Sequence, residues 1–284
     1  MAAPGAALSY DWLGACRRSA GALGAILAAA APGAERLRET GTIGEGGDRT
    51  LVLDQAAEDA VFGELERLHD DGARFTAISE ERGIVDFGSP AVRVVIDPID
   101  GSLNAKRGLP HHSISIAVAD GPAMSDVVFG YVYDFGPGEE WRALRGEGAW
   151  LNDVRLDDVP PERRTPDGRL EIVAIESAAP VRIAASAEAL MLAARRVRAI
   201  GSIAISLCQV AAGRVDAMAS LGPGRAFDSA AAQLIVHESG GLVAFPGLDD
   251  PAGPRLEDLT ANYPVVAART RAGLGLAATI PATT

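Results

Sequence analysis

Val95-Ile96-Asp97-Pro98-Ile99-Asp100-Gly101-Ser102-Leu103-Asn104 is the stretch on which the reading of this 284-residue chain turns. The apolar approach through Val95 and Ile96 reads as a buried strand, and it ends on an acid. Pro98 has no N–H with which to continue a ladder, so the chain is expected to turn there. Asp100 follows, and Asp100-Gly101-Ser102 reads as a helix start whose unpaired N–H groups can hold an anion. Two carboxylates aimed at one point repel each other unless a cation lies between them. Oxygen ligands favour Mg²⁺, Mn²⁺ or Ca²⁺ over zinc. Asp-Pro and Asp-Gly are also ordinary turn chemistry, so the stretch needs company before it signifies a site.

Three other segments supply that company. Ile78-Ser79-Glu80-Glu81 puts paired acids at the end of an expected strand. Asp54 stands where the N-cap of a helix is expected, with Ala57, Val61, Leu65 and Leu68 along one face beyond it. Ala226-Phe227-Asp228-Ser229-Ala230-Ala231-Ala232 opens an apolar helix with an acid, and Glu238-Ser239-Gly240-Gly241 closes it. Any one of these is most simply a cap or a solvated turn. Four at element ends in one chain are better explained by a shared site.

The surrounding elements divide the chain. An Ala/Leu-rich helix is expected over about 10–31, then a glycine-rich loop Gly41–Gly47 that could form a lid, and a strand at 50–53. Strands at 74–79, 91–96, 113–119 and 126–135, with a hairpin over 140–152, suggest an antiparallel half. Pro160 to Arg169 is proline-rich and charged and marks the expected seam between halves 1–160 and 161–284. Beyond it strands (171–176, 196–200, 214–219, 242–245, 264–268) alternate with helices (184–194, 202–212, 228–238 and a C-terminal one), an α/β pattern.

Composition narrows the function. Hydrophobic residues are 48% and charged residues 23%, a globular balance. A formal net charge of -12 argues against nucleic-acid binding, which needs clustered Lys and Arg. The longest apolar stretch, Ala22 to Ala31, is too short to span a bilayer. Cys16 and Cys208 stand far apart in no metal-binding spacing, and a cytoplasmic location is expected.

Asp97-Pro98-Ile99-Asp100-Gly101-Ser102, together with Phe227-Asp228-Ser229-Ala230-Ala231 through Gly240-Gly241, resembles the two signatures of the inositol monophosphatase family. Glu80-Glu81 and Leu53-Asp54-Gln55 fall in the family's order. The run Leu103-Asn104-Ala105 and on to Ser113 is most similar to the archaeal-type branch, whose members often act on both inositol monophosphate and fructose 1,6-bisphosphate. The resemblance implies a layered αβαβα sugar-phosphatase fold of two closely packed halves, α+β then α/β. It implies a phosphatase of a small phosphorylated polyol or sugar, using two or three Mg²⁺ ions, as a homodimer without nucleic-acid or membrane partners. Lithium sensitivity is a further family expectation.

By the same resemblance Glu80, Asp97 and the carbonyl of Ile99 would hold one Mg²⁺, and Asp97, Asp100 and Asp228 a second. Asp54 would hold the water shell of a third near Glu80. Ser102 and Glu80 would orient the attacking water. Gly101 and Ser102 would meet the phosphate, and Gly201, Ser202 and Ile203 would line the substrate pocket. Arg225 is a candidate for a second phosphate or a sugar hydroxyl. Adjacent His111 and His112 would face opposite sides of a strand and share no metal. Two departures stand out: Ser102 replaces the usual Thr, keeping the hydroxyl, and Leu221 replaces a Glu that contacts inositol in inositol-selective members. The alternatives are a 3′-phosphoadenosine 5′-phosphate-type nucleotide phosphatase and a non-catalytic phosphosugar-binding protein.

Overall fold

The computed structural model describes residues 7–29 and 52–283 with their side chains, and the backbone of 39–43 and 49–51. Two helices, α1 (Trp12–Ala29) and α2 (Val52–Asp70), flank a short hairpin of β1 (Glu39–Ile43) and β2 (Arg49–Leu51). Gly41 therefore lies in a strand, and the expected lid residues 44–47 lie outside the described residues. An eight-stranded sheet follows, built from β3 (Thr76–Ser79), β4 (Gly83–Asp86), β5 (Arg93–Asp100), β6 (Ser113–Ala119), β7 (Val127–Asp134), β8 (Glu139–Leu144), β9 (Gly148–Leu151) and β10 (Val154–Arg155). Its order is β10-β9-β8-β7-β6-β5-β3-β4. The short helix α3 (Ser102–Arg107) sits between β5 and β6.

A five-stranded sheet completes the chain: β11 (Leu170–Glu176), β12 (Ala194–Arg198), β13 (Ala217–Ser220), β14 (Leu242–Ala244) and β15 (Val266–Ala268), in the order β12-β11-β13-β15-β14. Its helices are α4 (Pro180–Ala193), α5 (Ile203–Ala211), α6 (Ala226–Glu238) and α7 (Arg271–Ala277).

Side-chain alternation sets the layers. Along β5, Val94 and Ile96 pack with Leu23, Val61 and Leu65 of α1 and α2, while Val95 packs on the opposite face with Leu207 and Ile235 of α5 and α6. This two-residue period, buried on both sides, explains why β5 and β6 are apolar nearly throughout. Ala174, Met218 and Ala267 of the second sheet close the central layer, and Val173, Ala219 and Val266 turn outward to Leu190 of α4 and Ala277 of α7. The result is five layers, αβαβα, as the sequence led us to expect. Small residues make the central layer thin: a Cβ on Gly130 of β7 would stand 2.5 Å from the carbonyl oxygen of Ala231 in α6.

Three local expectations need correction. The first sheet is not wholly antiparallel, because β3 and β5 run parallel. β4 pairs antiparallel with β3 at the sheet edge, so the chain returns to enter β5 in the direction of β3. The strand carrying the two acids does not end at Asp97. It continues to Asp100, with Asp97 opposite Ser115, Asp100 opposite Ser113, and a register shift between them. Pro98 interrupts the ladder as anticipated, but the chain answers with a bulge, which re-aims the strand locally. Asp54, read as an N-cap, lies within the first turn of a helix that begins at Val52.

Candidate active site

The acids meet where the two sheets face each other. Glu80 follows the C-terminal end of β3, Asp97 and Asp100 flank the bulge in β5, and Asp228 stands in the first turn of α6. They line one cavity of about 510 Å³, along with Ile99, Gly101 and Ser102 and the turn Gly201-Ser202-Ile203. Arg225 lines it too. Asp54 lies off this cavity, 3.6 Å from the ammonium of Lys106, so the structure joins it to α3 rather than to the other acids.

Burial dominates the electrostatics. Asp97 is buried, and its carboxyl is pushed well above the usual range, first by desolvation and then by the charges of Glu80, Asp100 and Asp228. Desolvation raises Asp100, Asp228 and Glu80 each to about 7; Asp228 is raised further by Asp100, and Glu80 by Asp228 and Glu81. Each acid answers by taking nearby donors. Asp97 accepts from the N–H of Ile99 at 3.0 Å, and Asp228 from the N–H of Arg225 at 2.8 Å. Asp100 accepts from the Ser202 hydroxyl and from the N–H of Ala204 at 2.7 Å. Glu80 is ion-paired with the guanidinium of Arg225, which also lies 4.5 Å above the ring of Phe227.

This donor set fits a hard divalent ion: side chains offering only oxygen, withdrawn from water, repelling one another, and short of positive charge. Among the described residues no three acidic, cysteine or histidine side chains already stand in gripping geometry. Arg225 and Ser202 hold carboxylate oxygens that ligation would need, so an ion would have to displace them.

The raised acids carry a testable pH dependence. A carboxyl whose folded value exceeds its unfolded 3.8 or 4.5 contributes stability at low pH and loses it as pH rises through the folded value. The melting temperature of EDTA-treated protein is therefore expected to fall between pH 5 and pH 8. Thermal melts in a pH series test this, and a flat or rising profile over that window would contradict the buried cluster.

The glycine after Asp100 ties the site to both halves. Gly101 has φ 83°, a left-handed conformation, and its carbonyl accepts from the N–H groups of Asn104 and Ala105 to start α3. A Cβ there would meet the backbone oxygens of His111 at 2.9 Å and Gly201 at 3.0 Å. Asn104 bridges the same two segments, donating to the carbonyls of His111 and Ile200 at 2.9 and 2.8 Å. The histidines are not in a strand: His111 has φ 66° before β6 begins, and its Nδ1 is 3.0 Å from Asp134.

Sequence reasoning missed Glu176. At the end of β11, buried, it accepts from the N–H groups of Ile200 and Gly201 at 3.1 and 2.9 Å and from the Ser206 hydroxyl at 2.5 Å. It thus holds the turn whose Ser202 grips Asp100. The available signal was the one used for Asp97, an acid ending an apolar strand. Leu221, the departure noted above, is wholly buried among Leu170, Val266 and Ala277 and does not line the cavity.

Buried acids gathered between two sheets of an αβαβα fold are the arrangement of a phosphoric monoester hydrolase. The chain belongs to the inositol monophosphatase family, whose sequence model matches residues 12–280. It is 34% identical over 222 residues to the fructose-1,6-bisphosphatase/inositol-1-monophosphatase of Methanothermobacter thermautotrophicus, covering 74% of this chain and 76% of that one. It is 36% identical over 200 residues to the Nus factor SuhB of Pasteurella multocida, covering 69% and 71%. Its fold superposes on a solved inositol monophosphatase–fructose 1,6-bisphosphatase with a TM-score of 0.77 at 24% identity, over 95% of this chain and all of the other.

Proposed function

We propose that the protein is a Mg²⁺-dependent phosphatase that hydrolyses the phosphate monoester of a small polyol or sugar, inositol monophosphate or fructose 1,6-bisphosphate. The convergence of Glu80, Asp97, Asp100 and Asp228 in one buried cavity is the observation that carries this reading. The names of the relatives support the substrate class. Residues 1–160 would contribute all of these acids but Asp228, which 161–284 supplies together with the pocket turn.

Two or three Mg²⁺ ions would be held by Glu80, Asp97, Asp100 and Asp228 with the carbonyl of Ile99. Such ions supply Lewis-acid polarisation of the phosphoryl group and a water that ionises near neutral pH. The chain's own residues do the rest. Gly101 and Ser102, at the start of α3, face the cavity where the phosphate would lie. The Ser102 hydroxyl and Glu80 would orient the attacking water and accept its proton. Arg225 would leave Glu80 for an oxygen of the substrate, and the Gly201-Ser202-Ile203 turn would form the wall against the sugar. Asp54, held by Lys106, would act at longer range. We further propose a cytoplasmic homodimer; among the described residues no helix is long and apolar enough to cross a membrane.

Phosphate release with Mg²⁺, with and without EDTA, tests the reading on inositol 1-phosphate, fructose 1,6-bisphosphate and 3′-phosphoadenosine 5′-phosphate. Mg²⁺-dependent release is expected from at least one of the first two. Asp228→Asn keeps the shape and removes a charge, so turnover is expected to fall by about 10²-fold or more. Unchanged turnover in a folded variant would take Asp228 out of the site, and release only from the third substrate would favour the nucleotide branch.

A further inference from the structure

Arg182 of α4 sits oddly in the electrostatics of this molecule. It is half-buried, yet among the described residues it has neither an ion pair nor a hydrogen bond. The other buried or half-buried arginines are all engaged: Arg93, Arg142, Arg169 and Arg225 pair with carboxylates, and Arg269 donates to carbonyls. Partial desolvation of a cation without a counter-charge is unfavourable, and it persists where a partner arrives from outside the chain.

The guanidinium is held in place by an absence. A Cβ on Gly222 would fall 2.5 Å from its Nη1 and 2.6 Å from its Cζ, so the group lies flat against a backbone that no other residue would leave bare. That backbone leads into the site. The N–H of Leu221 donates to the carbonyl of Glu176 at 2.8 Å, and Glu176, Ser177 and Ala178 line the cavity just ahead of α4. On the other side, a Cβ on Gly224 would stand 3.0 Å from the Asp228 carboxylate. Arg182 thus stands behind the rim of the cavity on the α4 side, away from α3, where the phosphate to be cleaved would lie.

We infer that Arg182 is a specificity residue that binds a second anionic group at the far end of the substrate, and that the preferred substrates are bisphosphorylated sugars or polyols. This rests on the phosphatase reading above and narrows it. A planar guanidinium presents paired N–H donors to a phosphate, and the interaction is made equally before and during cleavage of the other phosphate. Its loss therefore raises KM and spares kcat.

The test compares steady-state kinetics on fructose 1,6-bisphosphate and inositol 1-phosphate. Arg182→Ala is expected to raise KM for the bisphosphate roughly ten- to a hundredfold, with kcat and the monophosphate KM within about twofold. Arg182→Lys keeps the charge without the fork and should recover part of the loss. Gly222→Ala, which displaces the guanidinium at a position of ordinary φ, should reproduce the selective rise in KM. Equal effects on both substrates, or none on either, overturn the inference. So does a wild type that cleaves only the monophosphate, which leaves the phosphatase reading intact. A wild type inactive on both overturns that reading instead; binding of fructose 1,6-bisphosphate by calorimetry then decides for Arg182, since equal affinity in wild type and Arg182→Ala rejects it.

Discussion

Asp97→Asn is expected to lower turnover by about 10³-fold and, at the same time, to make the metal-free protein harder to melt. The two effects have one cause. Asp97 is buried beside Glu80, Asp100 and Asp228, and every one of those neighbours raises the cost of its charge. Asparagine has nearly the same shape and can keep the bond from the N–H of Ile99 through its side-chain oxygen. It removes one of the charges that must be neutralised, so EDTA-treated protein gains stability at pH 8, on the order of 2–4 °C in Tm per kcal/mol relieved. At pH 5 the gain shrinks, because the wild-type carboxyl already carries a proton there. The loss of turnover follows from removing the acid placed centrally among the other three, a substitution of the size class that costs preorganised electrostatic catalysis 10²–10³-fold or more. Melts at both pH values and single-substrate kinetics check both halves. A variant that is less stable without metal and fully active would show Asp97 to be a structural acid.

Gly101→Ala carries the second large effect. The substitution forces a side chain into a left-handed backbone position at a cost of roughly 1–2 kcal/mol. It also places a Cβ 2.9 and 3.0 Å from two backbone oxygens, which cannot rotate away as a side chain would. Those oxygens belong to the segment before β6 and to the turn before α5, so relief means moving α3 off both. Chemical denaturation should show a loss of about 2–4 kcal/mol, and turnover should fall at least about 10²-fold, since a misplacement of an ångström is enough. Gly21→Ala is the control. Gly21 is exposed on α1 with open space at its Cβ, so the same change there is expected to stabilise slightly and leave turnover alone.

Much of this site could be read from the chain because its acids sit at element ends, where local punctuation is strong. Asp97 precedes a proline, Glu80 ends a short apolar strand, and Asp228 opens an alanine-rich helix; none of those signals depends on what lies across the fold. The layered architecture was legible for a similar reason, since strands buried on both faces write near-continuous apolar runs. What escaped were the relations between distant segments. Nothing near Asp100 says that its donors come from Ser202 and Ala204, and nothing near Glu176 says that it holds the turn that carries them. The bulge after Asp97 was hidden because proline announces an interruption in a ladder without saying whether the strand resumes. Leu221 shows the limit of comparing positions one by one: the missing Glu is not a hole in the cavity but a buried leucine, with the rim shaped by Gly222 and Arg182 beside it.

The grip on Asp100 has a wider consequence. Its carboxylate comes from the first sheet, and its donors come from the start of α5 beneath the second. Neither sheet alone presents a finished catalytic centre, so assembling the centre and docking the sheets are the same event. Hydrolytic competence becomes a reporter of tertiary assembly. During refolding, activity should return with the slowest docking step rather than with the recovery of helix and strand, and a chain clipped in the connector between Arg155 and Leu170 should stay active for as long as its two pieces remain together.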